Sequence, residues 1–371
     1  MWNISVIFCM IFLSGTTVWG SSYEPSDFPS LISSIRISQP VDFCGEKVPI
    51  DNQGVYEGLE KELLLSLWSR SQVILWMKRV GRYMPFIEKT LRQNRMPDDL
   101  KYVAIVESSL LPHIGSSKRA IGYWQFIKST GLGYDLTINS DIDERRNIFK
   151  STQAAIRYFN KLYGDFGSWT LAAAAYNMGE YGLKSRISRQ KTSDFYNLYL
   201  PLETQRYLFK IVAVKIILSN PEKYGFQLTK EDLYPPVQFD KVQVECPGSV
   251  PLQMIAEASG TYYKTIKELN PEIRGRNLSR GNHTLAIPKG AAKDFYARYK
   301  TLYDKWQAEK QVTHKAKTVK KKKKRIYVVK RGDNLSSIAA RFKIPLSKLL
   351  KWNRLKYKSP LHVGKRLIVS Q

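Results

Sequence analysis

The pair Ile255-Ala256 stands 14 residues ahead of Asn270, counted from the alanine, and Ile338-Ala339 stands the same 14 ahead of Asn353. Between these marks Ile266 and Leu269 match Leu349 and Trp352. Each copy opens on a short β-prone run, Val242–Glu245 or Ile326–Val329, and closes on another, Thr284–Ile287 or Arg366–Val369. The shared spacing predicts two strand–helix–helix–strand modules of roughly 45 residues each. A chain built this way ends in small α+β units.

Upstream the pattern is different. From Leu59 to about Asn220 it is helical, with few β-branched runs. Leu59, Leu63, Leu67 and Ile74 recur at helical spacing, and Trp68, Trp76 and Met77 widen the apolar surface. A helix predicted over Leu202–Leu218 ends ahead of Pro221, and Pro235-Pro236 breaks the chain before the modules begin. The expected class is therefore mainly α, a helical domain followed by small α+β modules of βααβ form. The divisions are a segment at 1–20, an irregular lead-in at 21–58 and a helical domain at 59–235 with its core at 90–215. A divergent module at 240–290, a helix and Lys-rich linker at 291–325 and a second module at 326–371 complete the chain.

The net charge of +27 is unevenly spread. Residues 309–325 carry a net +8 and residues 326–371 a net +10, so two thirds of the excess sits at the end of the chain. The charge describes a tail, and no nucleic-acid module accompanies it. The run Lys320–Lys324 reads as a solvated linker that can also lean on an anionic wall or membrane surface. Phe295, Tyr299, Tyr303 and Trp306 lie at helical spacing, a packing stripe before a sugar platform.

The apolar stretch Ile4–Leu13 is too short to span a bilayer, and Val18 and Gly20 precede Ser21 as at a secretory cleavage site. A buried N-terminal helix is the bland alternative. The first reading implies an exported chain, periplasmic and associated with the cell wall, and no lipid-anchor motif surrounds Cys9. After cleavage Cys44 and Cys246 remain, either as one disulfide or as two separate buried thiols.

The chemistry points to the stretch Met96–Leu111. Pro97, Asp98 and Asp99 suit a helix start, and Leu100, Val103, Ala104 and Glu107 then fall at i, i+3, i+4 and i+7. Glu107 thus lies on an apolar stripe, where loss of hydration raises a carboxyl pKa toward that of a general acid. A glutamate at a helix end that reaches solvent is the plainer reading of this segment alone.

Four further motifs follow in order. They are Ser116, Gly122-Tyr123-Trp124-Gln125-Phe126, Ala174-Ala175-Tyr176-Asn177-Met178-Gly179 and Leu200-Pro201-Leu202-Glu203-Thr204-Gln205-Arg206-Tyr207. Together with Glu107 they resemble the lytic transglycosylases of glycoside hydrolase family 23, which share the goose-type lysozyme fold. Within that family the set is most similar to the membrane-bound lytic murein transglycosylase D group. The segment Tyr327 to Ala339, with Gly332-Asp333-Asn334-Leu335 at its centre, resembles the LysM module over 326–369, and 242–288 is its divergent copy.

The resemblance implies a lysozyme-like helical domain that cleaves the MurNAc–GlcNAc bond of peptidoglycan glycan strands, leaving 1,6-anhydroMurNAc ends. It implies Glu107 as acid/base, Ser116 and Tyr176 orienting its carboxylate, and Gln125, Asn177 and Tyr207 lining the sugar cleft. Gly332, Asp333, Asn334 and Leu335, with the stretch 361–364, are the implied glycan-binding residues of the LysM module. No cofactor and no metal is implied, and the four histidines are scattered. A second carboxylate, needed by hydrolases that pair two acids, does not occur between Ser108 and Tyr134. A goose-type hydrolase and a non-catalytic wall-binding protein are the rival readings.

Overall fold

The computed structural model describes residues 29–38, 40–319 and 325–370. The stretch read as a secretory signal and the lysine run 320–324 lie outside the described residues. Among the described residues the fold is mainly helical, with two-stranded sheets only. Among the described residues no helix is long and apolar enough to cross a membrane.

The helical domain begins with two long helices, Gln53–Trp68 and Arg70–Gln93. Asn52 caps the first by accepting from the backbone of Gly54 and Val55, satisfying donors that have no partner inside the helix. The predicted stripe is broken between them at Ser69. Leu59, Leu63 and Leu67 are buried, but Trp68 and Ile74 turn outward while Val73, Trp76 and Met77 take the core face. The helix predicted from Met96 starts instead as a 3-10 turn, Asp98–Leu100, with Pro97 as its cap, and becomes α over Lys101–Ser108. Around that short helix pack Ile148–Phe166, Trp169–Met178 and Leu202–Ser219, sharing one apolar core.

A small hairpin, Asp42–Phe43 with Glu46–Lys47, ties these helices together from one end. The Glu46 carboxylate accepts from the backbone of Trp169 and Thr170 and from the Ser168 hydroxyl, capping the start of Trp169–Met178 with a negative charge where the helix dipole favours one. Lys215, on Leu202–Ser219, donates to Asp42 at 2.9 Å and to Asp99 at 2.8 Å. Asp99 in turn accepts from the Cys44 backbone at 2.7 Å. One clasp therefore fixes the starts of the Lys101–Ser108 and Trp169–Met178 helices against the far end of a third.

The clasp also decides the cysteines. Cys44 and Cys246 are both free thiols, which corrects the disulfide alternative. Cys44 is held on the helical core beside Asp99, where burial pushes its thiol pKa up. Cys246 is buried in the separate core of the first module, at the end of the strand Phe239–Cys246.

That first module pairs Phe239–Cys246 antiparallel with Gly281–Pro288 around the helices Leu252–Ala258 and Tyr263–Leu269. The aromatic helix Ala292–Val319 belongs to it: Phe295 is fully buried there and Tyr299, Tyr303 and Trp306 pack alongside. The module is joined to the helical domain through backbone, with Asp143 N–H donating to the Glu272 carbonyl and Arg274 N–H to that of Asp141. The acidic and basic run at 141–146 supplies the platform. Asp143 and Arg145 form a buried ion pair at 2.8 Å, with Arg145 also donating to the carbonyls of Arg119 and Phe126. The second module pairs Arg325–Val328 with Arg366–Ser370 around Leu335–Arg341 and Leu346–Asn353, over a smaller core of its own.

Candidate active site

Glu107 stands in the last turn of its helix, one residue before the end. The helix stops because Ser109 takes a left-handed conformation, φ 53°, and its hydroxyl accepts from Gln72 at 2.9 Å and Trp76 at 3.0 Å. Buried Ser108 donates to the Tyr123 carbonyl at 2.8 Å, stitching the helix to the loop that carries the Gly-Tyr-Trp-Gln motif. The end of the helix is thus held on two sides, and Glu107 with it.

The Glu107 residue is half-buried and opens into a cleft of about 450 Å³. Loss of hydration pushes its carboxyl pKa up to about 7; the Tyr207 hydrogen bond and the Lys210 charge pull it back, and Glu203 adds to the rise. Tyr207, buried on Leu202–Ser219, donates its hydroxyl to Glu107 Oε1 at 2.5 Å. The same burial, with Glu107 beside it, holds the Tyr207 hydroxyl well above its ordinary pKa, so the phenol stays a donor. One carboxyl oxygen is engaged, and the other is left for a proton. A group poised in this way is half protonated near neutrality, which suits an acid that must later act as a base.

The structure redistributes the roles implied for the surrounding residues. Tyr207 lines the cleft, and its hydroxyl is also the one that bonds Glu107. Tyr176 is close enough for the Glu107 charge to raise its pKa, second to its own burial, but its hydroxyl donates to the Trp124 carbonyl at 2.5 Å. Its ring stacks on Phe159 at 4.6 Å, so Tyr176 braces the Gly-Tyr-Trp-Gln loop. Ser116 lies in an exposed turn and accepts from the Ala120 backbone at 3.1 Å, without a bond to Glu107. Gln125 donates to the carbonyls of Ile114 and Gly122 and holds the same loop. Asn177 does line the cleft, and its amide oxygen accepts from Thr204 at 2.8 Å. Gly122 has a specific reason to be glycine: at φ +87° a Cβ would sit 1.9 Å from the Arg145 carbonyl oxygen.

Further cleft residues are given no role by the motifs. Glu62, from the first long helix, shares the wall with Val106, Glu203, Arg206 and Lys210. The absence of carboxylates between Ser108 and Tyr134 is therefore no absence from the cleft. Glu62 is bound by Arg206 Nε at 2.6 Å, and exposed Glu203 reaches Lys118 at 3.6 Å. Glu203 and Arg206 lie inside the last of the motifs, and a count of their i, i+3 and i+4 neighbours would have put them on the Tyr207 side of the helix.

In the second module the predicted groove residues form a turn and a cap. Gly332 takes φ +89°, Asp333 accepts from the Tyr327 hydroxyl and the Lys330 backbone at 2.7 Å each, and Asn334 caps Leu335–Arg341. Leu335 packs half-buried on the core. Gly364 N–H donates to the Val329 carbonyl, which brings the stretch 361–364 beside this turn.

Known proteins share these parts. Residues 84–199 match the family model for the transglycosylase SLT domain, 327–370 that for the LysM domain, and 238–304 that for the LysM-like domain of lytic transglycosylase MltD. The membrane-bound lytic murein transglycosylase D of Escherichia coli K12 is 33% identical over 297 residues, covering 78% of this chain and 64% of the relative. The protein of the same name from Escherichia coli O6:H1 matches to the same extent. The chain thus spans just under two thirds of these relatives' length. A solved chain of the Bacillus cereus spore cortex-lytic enzyme SleL is 24% identical, covering 36% of this chain and 23% of its own, with a TM-score of 0.12.

Proposed function

For a chain that carries a transglycosylase SLT domain joined to an MltD-type LysM-like domain and a LysM domain, we propose a peptidoglycan lytic transglycosylase. It cleaves the MurNAc-(β1,4)-GlcNAc bond and leaves 1,6-anhydroMurNAc ends. The observation that carries this reading is the Glu107 carboxyl, raised to about 7 and gripped by Tyr207 at the floor of an open cleft. Protonated Glu107 gives its proton to the glycosidic oxygen as the C1–O bond breaks. The resulting carboxylate then takes the proton of the muramic C6 hydroxyl as that oxygen closes on C1. No water is consumed, and the Tyr207 hydroxyl stabilises the carboxylate between the two transfers.

Asn177 lines the sugar path, while Gln125, Tyr176 and Ser116 shape the loop beside it. The LysM module binds the same polymer through the turn at Gly332–Leu335 and the stretch 361–364. The Lys-rich linker adds a salt-sensitive attraction to an anionic wall or membrane surface. The chain acts in the periplasm against the wall, and the secretory reading of 1–20 supports that compartment.

The second reading, a goose-type hydrolase, rests on Glu62 and Glu203 sharing the cleft with Glu107. Product mass from purified sacculi decides between them. Anhydro ends identify the transglycosylase; ends heavier by one water identify the hydrolase; no cleavage leaves a wall-binding protein.

A further inference from the structure

Glu62 is 3% exposed, on the wall of the Glu107 cleft, and its carboxylate is met by the Nε of Arg206 at 2.6 Å. Its partner is open: the Arg206 side chain keeps 44% of its accessible surface. A buried carboxylate is a costly way to fill a wall, and an apolar residue of similar size would serve stability as well or better. What the pair achieves is orientation. Guanidinium is a planar fork of donors, and fixing Nε from below fixes the plane of the two terminal nitrogens. Neither of these accepts a partner among the described residues, whereas the arginines that build the fold, such as Arg145, use theirs on carbonyls and carboxylate.

Lys210 stands one turn further along the same helix, lines the same cleft and is near enough to lower the Glu107 pKa. The wall next to the acid thus presents two cations, Arg206 held by Glu62 and Lys210, beside the exposed carboxylate of Glu203, in a site whose neutral sugar rings require no cation. Resting on the proposed transglycosylase reading, we propose that Arg206, held by Glu62, binds a carboxylate carried by the muramic residue next to the scissile bond. Two parts of the substrate offer that group. It is the lactyl carboxylate of strands stripped of peptide, or a carboxylate of the stem peptide where the stem is present. Glu62 is the positioning residue and Arg206 the specificity residue.

The test compares four purified glycan substrates: stripped strands and peptide-bearing strands, each with its carboxylates free or converted to amides. Wild type should favour free carboxylate over amide by about tenfold in kcat/KM within one of the two pairs, the loss expected for one charge-assisted hydrogen-bonded contact. The stripped pair identifies the lactyl group, the peptide-bearing pair the stem. Arg206→Gln should lower the rate on the favoured substrate to that on its amide, mainly through KM. Glu62→Gln should do the same in part, and Arg206→Lys should keep the charge but only a fraction of the preference. Indifference of wild type to amidation in both pairs, or a preference that survives Arg206→Gln, overturns the proposal. Arg206 is exposed enough for its variant to fold, so a failure of Glu62→Gln to fold leaves the outcome readable. The parent reading fails separately: new ends without the anhydro ring would show hydrolysis, whatever the preference.

Discussion

The two βααβ modules share one internal device and differ in almost everything around it. In the first, Asn270 donates to the carbonyls of Ile266 and Ala286 and accepts from Ala286 N–H. In the second, Asn353 does the same with Leu349 and Ile368. One asparagine thereby bolts the second helix to the last strand, which is why it recurs 14 residues after the alanine. Outside that bolt the first module is bonded through backbone to the helical domain and covered by an aromatic helix. The second follows a lysine-rich linker and keeps a turn closed by Asp333 and Tyr327. The same frame is in one place bonded into the helical body and in the other stands on a core of its own. The difference lies in which loop was rebuilt: Cys246-Pro247-Gly248-Ser249 in one, Lys330-Arg331-Gly332-Asp333 in the other.

The largest effect that would sharpen this contrast is Glu107→Gln. Turnover should fall on the order of 10²–10⁴-fold, because the transferable proton is gone, while sedimentation with sacculi is retained. Equal loss of both would mean that binding depends on the body after all.

Asn270→Ala and Asn353→Ala should each cost about 2–3 kcal/mol in their own module by stranding buried backbone groups. The first should also lower the melting temperature of the catalytic activity, since its module is bonded to the helical domain. The second should leave that activity's melting unchanged, and a common shift for both would break the contrast.

Removing residues 309–371 should slow cleavage of insoluble wall by roughly tenfold at most, through lost local concentration. Rates on short soluble muropeptides should hold. The pull-down with sacculi should lose both its salt-sensitive and its salt-insensitive parts.

The smallest effect concerns pH. Glu107 must start protonated, so activity should fall as pH rises through about 7. Tyr207→Phe removes a hydrogen bond that holds this pKa down. Its lower maximal rate should therefore persist to higher pH than that of wild type. A shift toward lower pH would remove Tyr207 from its assigned role.

Much of this was legible in residue spacing. The mainly helical class, the repeat and the apolar setting of Glu107 all follow from periodicity, which reports one helix face at a time. That Tyr207 and not Tyr176 bonds Glu107 was not legible. Both are tyrosines on motif helices, and which hydroxyl reaches Glu107 depends on how helices 100 residues apart in sequence cross. The Glu62–Arg206 bond spans 144 residues and joins two helices whose patterns carry no mutual mark. The cysteines were left open between two states for the same reason, since an even count says nothing about which core each thiol enters.

The Asp42–Lys47 hairpin also sets a clock. Its bond from Glu46 reaches 122 residues along the chain to Ser168, and that from Asp42 reaches 173 residues to Lys215. As the chain emerges from its N-terminus, the hairpin comes out early and must wait, carboxylates unmatched, until the helix bearing Lys215 has followed. Closure over so long a loop is slow, because the entropy of the intervening chain is lost before the bonds form. The starts of the helices that carry Glu107 and Asn177 are fastened only at that moment. A chain that stops short of Lys215 therefore has no finished cleft, and the chemistry proposed for the site waits on that helix.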